Sequence, residues 1–154
     1  MLSRFEQFSF VISGINRYIQ KLERDEMVKY GYKGAFAQYL AVLNRYPDGL
    51  TAAQLCDICD KDKAAVSRIS AEMEAKGLLL RECGNDSGYR ARLKLTDEGR
   101  RAADYVCRKA QAAVAAVGDQ LTDEERRILY GTLDLIASKL QALSKEGIPS
   151  HESD

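Results

Sequence analysis

Few side chains in this 154-residue chain could carry covalent or metal chemistry. The single histidine, His151, lies among the last four residues, and no Ser/His/Asp or Cys/His set assembles around it. There is no phosphate-binding loop of the G-x-x-x-x-G-K-[ST] type, and no G-x-G-x-x-G follows a strand. The paired carboxylates Glu124-Glu125 fall at a predicted helix start, where they answer the helix dipole. Cys56 and Cys59 form a C-x-x-C, but zinc needs two more ligands, and Cys83 and Cys107 make no second close pair. Cys56 and Cys59 are read as small core residues. The inventory predicts no enzyme, no metal and no cofactor. Redox sensing through one of the four cysteines stays an alternative.

The remaining chemistry is non-covalent recognition, and it concentrates between Leu50 and Gly99. Thr51 with Gln54 three residues on makes a capping box that starts a short helix, with Leu55, Ile58 and Cys59 on its inner face. Asp60-Lys61-Asp62 supplies a turn, and Asp62 caps a second helix that Gly77 stops. Val66, Ile69 and Met73 form the buried stripe of that second helix. At about 100° per residue the opposite face carries Ala64, Ser67, Arg68, Ala71 and Ala75, with Lys63 at the start. Small residues let a helix backbone approach base edges. Ser bonds bases or phosphates, and Arg grips guanine through two hydrogen bonds. The alternative is a solvated face in which Ala is simply a good helix former.

A hairpin follows. Leu78 to Glu82 and Arg90 to Leu95 are strand-like and flank the turn formers Gly84-Asn85-Asp86-Ser87-Gly88. In the second strand Arg90, Arg92 and Lys94 alternate with Ala91, Leu93 and Leu95, which places three cations on one face, at the loop end and along the outer edge. An arm with Arg near its tip suits the negative potential of a narrow minor groove. The alternative is a charged edge strand that resists aggregation. Helix, turn, helix and basic hairpin together predict a winged helix-turn-helix with its second helix in a DNA groove. A winged-helix module that binds protein instead would lose the basic wing, so Arg68, Arg90 and Arg92 argue for DNA.

The run DKDKAAVSR, then EAKGLL, then YRARLKLTDEG resembles the MarR family of bacterial transcriptional regulators over nearly the whole chain. The most specific pieces are Lys63-Ala64-Ala65-Val66-Ser67-Arg68 and Leu95-Thr96-x-x-Gly99. Many members carry Asp-x-Arg at the wing tip, where this chain has Gly88-Tyr89-Arg90. The resemblance implies a homodimer on a pseudo-palindromic operator, repression, and release by a small aromatic or anionic ligand. The hydroperoxide-sensing branch places a reactive cysteine in its first helix, and this chain has none before Cys56.

Composition agrees with a DNA partner once charge is followed along the chain. Net charge is zero, yet Lys61–Lys94 holds eight Lys/Arg against five Asp/Glu, and Asp119–Asp154 holds four against eight. The basic excess sits where DNA would be. No apolar run is long enough to span a membrane, the start of the chain lacks a secretory pattern, and the cysteines form no extracellular disulfide framework. A reducing cytoplasm is the expected compartment.

The flanking helices speak to assembly. Phe5, Phe8, Ile12, Ile15, Ile19 and Leu22 recur at steps of three and four, as do Leu129, Leu133, Ile136, Leu140 and Leu143. Both are heptad seams suited to helix–helix packing. A second subunit is the expected partner, and an antiparallel pair of the two terminal helices is the alternative. Tyr32 to Tyr46 reads as a helix with Phe36, Leu40 and Leu43 inward. Thr96 caps a helix to about Val117, and Thr122 caps the last one. The predicted class is mainly α with a small β-hairpin wing, a winged helix-turn-helix plus a helical dimerisation domain. Its parts are a dimerising N-terminal helix (1–31), the DNA-binding domain (32–99), dimerising C-terminal helices (100–146) and a tail (147–154). Tyr18, Tyr39, Tyr46 and Tyr105 are the expected lining of a ligand crevice between the first helix, the Tyr32–Tyr46 helix and the helix after Thr96.

Overall fold

A computed structural model describes residues 3–83 and 91–147. Within them the order is α1 (Arg4–Tyr30), α2 (Phe36–Asn44), β1 (Leu50–Thr51), α3 (Ala52–Cys59), α4 (Lys63–Ala75), β2 (Leu79–Glu82), β3 (Arg92–Leu95), α5 (Asp97–Gly118) and α6 (Asp123–Glu146). The chain forms two compact units, residues 1–112 and residues 113–154. The fold is mainly helical with one small antiparallel sheet, as the sequence predicts.

Local chemistry sets most boundaries. Ser3 and Glu6 make a reciprocal capping box at the start of α1, and Gly31 ends it in the left-handed region at φ 106°. The predicted helix over Tyr32–Tyr46 is shorter than expected and begins at Phe36. The reason is the corner that follows Gly31: Phe36 N–H bonds Lys33 O, and Tyr32 N–H bonds Met27 O. Thr51 and Gln54 cap α3 as read, and Asp62 Oδ1 accepts from Ala65 N–H at the start of α4. Between those helices Asp60 takes a left-handed conformation, which closes the turn in three residues.

The core of the first unit collects one face of each element. Met27, Phe36, Leu40, Leu43, Leu55, Val66, Met73, Leu78 and Leu93 are all buried, and α5 joins them through Ala102, Ala103 and Val106. Two inner stripes differ from expectation. Ile58 is exposed, because it flanks the Leu55–Cys59 line rather than lying on it. On α4, Val66 and Met73 are buried and Ile69 is half-buried, while Ser70 fills the remaining core position.

The sheet corrects the hairpin reading. The order is β1-β3-β2, so β3 is the central strand and its cations do not run along an outer edge. Leu50 pairs with Leu93 and Thr51 with Arg92 on one side, and Leu79 pairs with Leu95 and Glu82 with Arg92 on the other. Strand β1 has only two residues, too few for any period-2 pattern to announce it.

At the base of the wing, Thr96 N–H donates to Leu78 O at 3.1 Å, Thr96 Oγ1 donates to Gly77 O at 2.6 Å, and Gly99 N–H donates to Thr96 Oγ1 at 3.0 Å. Gly99 is buried here, and a Cβ on it would lie 2.0 Å from Leu78 O.

The second unit is described by itself. Thr122 and Glu125 form a capping box at the start of α6, and Arg126 Nη2 donates to Gly118 O and Leu121 O, tying off the preceding turn. No described residue of α6 is fully buried.

Gly99→Ala should destabilise the fold by about 3 kcal/mol, the upper end of overpacking, because the obstacle is backbone. Gly131→Ala, where nothing lies within 4 Å of an added Cβ, should instead gain about 0.5–1 kcal/mol of helix propensity. Denaturant melts of both variants check the pair, and equal stabilities would contradict this account of Gly99.

Candidate nucleic-acid interface

The face of α4 turned away from the core carries Lys63, Ala64, Ser67, Arg68, Ala71 and Ala75, all exposed. The sequence reading of this face therefore holds as geometry. Val66, Ser70 and Met73 anchor the helix from the other side.

Beside this helix runs a groove of about 710 Å³. Its walls are Thr51, Ala52, Ala53, Gln54 and Asp57 from the start of α3, Lys63 from α4, Arg81 from β2, and Ala91 and Arg92 at the head of β3. Three cations from three elements thus meet one concave surface. The first-turn N–H groups of Ala52 and Ala53 have no intrahelical acceptor and add partial positive charge. Such a surface suits an anionic backbone.

The wing residues take separate roles. Arg92 Nη1 donates to Gly49 O at 2.9 Å, which fastens β3 to the loop before β1. Lys94 is half-buried and pairs with Glu82 across the strands. Arg90 lies outside the described residues. Arg81 was not anticipated as a groove residue. Its Nε donates to Glu74 Oε2 at 3.0 Å. The signal was present, since Arg81 shares a strand face with buried Leu79, a place where a lone cation calls for a partner.

The tyrosines expected in one crevice are dispersed. Tyr39 is 4% exposed, and burial pushes its hydroxyl above the ordinary tyrosine pKa. Tyr105 donates to Glu26 Oε2 at 3.3 Å and stacks at 4.9 Å on Tyr30, whose own hydroxyl donates to Glu98. Tyr46 is exposed and borders a small hollow with Pro47 and Arg100. Tyr18 is exposed beneath the Arg17 guanidinium. Tyr39 lines a cavity of about 320 Å³ between α1, α2 and α4, where Gln20, Glu23, Arg24, Gln38, Lys61 and Arg68 also converge.

The seam residues Phe5, Phe8, Ile12, Ile15, Leu22, Leu129, Leu140 and Leu143 are exposed, and Leu133 and Ile136 are half-buried. Each terminal helix therefore presents an uncovered apolar stripe.

The four cysteines are free. Cys59 is buried in the core, and burial pushes its thiol up to about 11. Burial also raises Cys107, and Cys83 is exposed at the end of β2. Among the described residues no cluster of three or more His, Cys, Asp or Glu could hold a metal ion. Since the thiolate is the nucleophile, iodoacetamide at pH 8 should label Cys83 first and Cys59 last. Timed alkylation followed by peptide mass spectrometry checks the order, and equal rates in folded protein would break it.

Residues 30–87 match the MarR family model, a span that holds α2, both helices of the helix-turn-helix and β2. No curated protein matches the chain. Among solved structures it resembles a putative MarR family transcriptional regulator from Listeria monocytogenes complexed with a 26mer DNA, at TM-score 0.74 and 18% identity over 97% of this chain and 99% of that one. It resembles S. aureus MepR in its DNA complex at TM-score 0.69 and 17% identity, covering 90% and 99%. A MarR transcriptional regulator from Methanosarcina mazei Go1 gives TM-score 0.77 and 20% identity, covering 92% and 94%. The matched segment is the one that builds the exposed α4 face and most of its groove: over residues 30–87 the chain matches the MarR family, and as a whole it shares the fold of these transcriptional regulators.

Proposed function

We propose that this protein is a transcriptional regulator, a sequence-specific DNA-binding repressor that works as a homodimer on a pseudo-palindromic operator in the cytoplasm. The observation that carries the reading is the pairing of an exposed small-residue face on α4 with a groove lined by Lys63, Arg81 and Arg92. The α4 face reads base edges, and the groove takes phosphates. Lys94 and Arg90 complete the basic wing in this scheme. The protein-binding alternative lacks a use for three converging cations.

The dimer is supported by the uncovered seams on α1 and α6. Leaving them in water forfeits about 25 cal/mol per Å² of apolar surface. A two-fold pairing also spaces two recognition helices by about one DNA turn or a multiple of it. The segments 1–31 and 100–146 would dimerise, and 32–99 would bind DNA. Release by a small aromatic or anionic compound is supported by the α1/α2/α4 cavity, because Arg68 belongs both to it and to the reading face. Such a ligand acts only through its difference in affinity for the two states.

A salt series of gel shifts on genomic fragments around the protein's own gene tests the DNA reading, with a steep loss of affinity on added salt expected. Arg68→Ala should weaken specific binding by about 1–3 kcal/mol, and Ser67→Ala by less. Full affinity in a folded Arg68→Ala protein would take α4 off the groove. In sedimentation, Leu133→Asp should give monomer or insoluble chain, since an unpaired charge in a buried seam is costly. A parent protein monomeric at micromolar concentration would remove the dimer.

A further inference from the structure

Glu74 occupies the last turn of α4, the end where the helix dipole disfavours a carboxylate. Its partner is Arg81 on β2, and both side chains are about two-fifths exposed. An ion pair that wet adds little to stability, so a purely structural pin is a poor reason for placing an acid there. Arg81 also lines the groove beside Lys63 and Arg92. Three cations share that groove with a single acid, Asp57, and Glu74 brings a second carboxylate to Arg81 from outside the lining.

We propose that Glu74 is an intramolecular stand-in for a DNA phosphate. It holds Arg81 in the unbound protein and gives it up when a phosphate enters the groove. This rests on the DNA-binding reading above. The exchange is balanced in kind: one charge-assisted N–H···O bond to a carboxylate is traded for one to a phosphate oxygen. Each binding event then costs one ion pair, so Glu74 lowers affinity for every phosphate backbone alike, whatever the base sequence. The acid meters non-specific binding without touching the residues that read bases. Glu82 and Lys94 repeat the arrangement on the neighbouring strand, where the lysine is more buried.

The test uses the full-length protein and a fluorescently labelled mixed-sequence duplex, followed by anisotropy across a salt series. Glu74→Gln should bind about two- to fivefold tighter than the parent at low salt, the fold-change that corresponds to an exposed pair. Arg81→Gln should bind more weakly, with the salt slope reduced by about one phosphate contact. In the double variant Glu74→Gln/Arg81→Gln, the gain from removing the acid should largely vanish. An equal gain with and without Arg81 would mean a general charge effect and overturn the proposal, as would a folded Glu74→Gln protein of parental affinity. If the parent itself shows no salt-dependent binding, the DNA reading fails first and the proposal with it. Circular dichroism melts of each variant confirm that all are compared as folded proteins.

Discussion

The fold depends on how the wing is closed at its base. The chain leaves α4 at Gly77, travels out along β2, returns along β3 and enters α5 at Asp97. Thr96 binds departure to return, with its backbone N–H on Leu78 and its hydroxyl shared between Gly77 O and the N–H of Gly99. Only a residue without a side chain fits against Leu78 O, so Gly99 lets α5 start directly on β2. This knot fixes the direction of the arm relative to α4. Without it the cations on β2 and β3 would have no defined distance from Lys63, and the groove would not exist as one surface.

The electrostatics follow from that geometry. The chain is neutral overall, so the attraction to DNA proposed above cannot come from bulk charge. It must come from local convergence, and Lys63, Arg81 and Arg92 arrive from three separate elements. Convergence has a cost in the free protein. Two wing cations are paired with carboxylates, Arg81 with Glu74 and Lys94 with Glu82. Arg92 is handled differently, by a backbone carbonyl at Gly49, which holds its guanidinium in place beside the groove.

What the sequence could reveal depended on how local the governing interaction was. The capping boxes at Thr51 and Thr122, the Asp62 cap and the Thr96 cap all lie within four residues of what they satisfy, and all were legible. The exposed α4 face was legible because helical period assigns it once the apolar stripe is known. Strand β1 was not, since its two residues are a strand only because β3 lies beside them. The place of Arg81 was hidden for the same reason: it depends on a contact across the turn between α4 and β2. The separate places of the four tyrosines were not legible, because an aromatic with a polar tip is as well satisfied by a nearby carboxylate, as Tyr105 is by Glu26, as by a ligand. The terminal seams were read correctly as apolar stripes, but a stripe alone does not name its partner.

One consequence concerns how such a protein changes its address. Ala64, Ser67, Arg68 and Ala71 are exposed, while Val66, Ser70 and Met73 carry the anchoring of the same helix. Exposed positions away from caps and core tolerate substitution with little change in stability. The residues that face outward on α4 can therefore be exchanged almost independently of those that make it fold. Thr51, Asp62, Thr96 and Gly99 have no such freedom, since each holds a cap or a close backbone contact. If that face reads the operator as proposed, a lineage could rewrite its target through a handful of neutral-to-folding changes on one helix, leaving the scaffold's own bonds as they were.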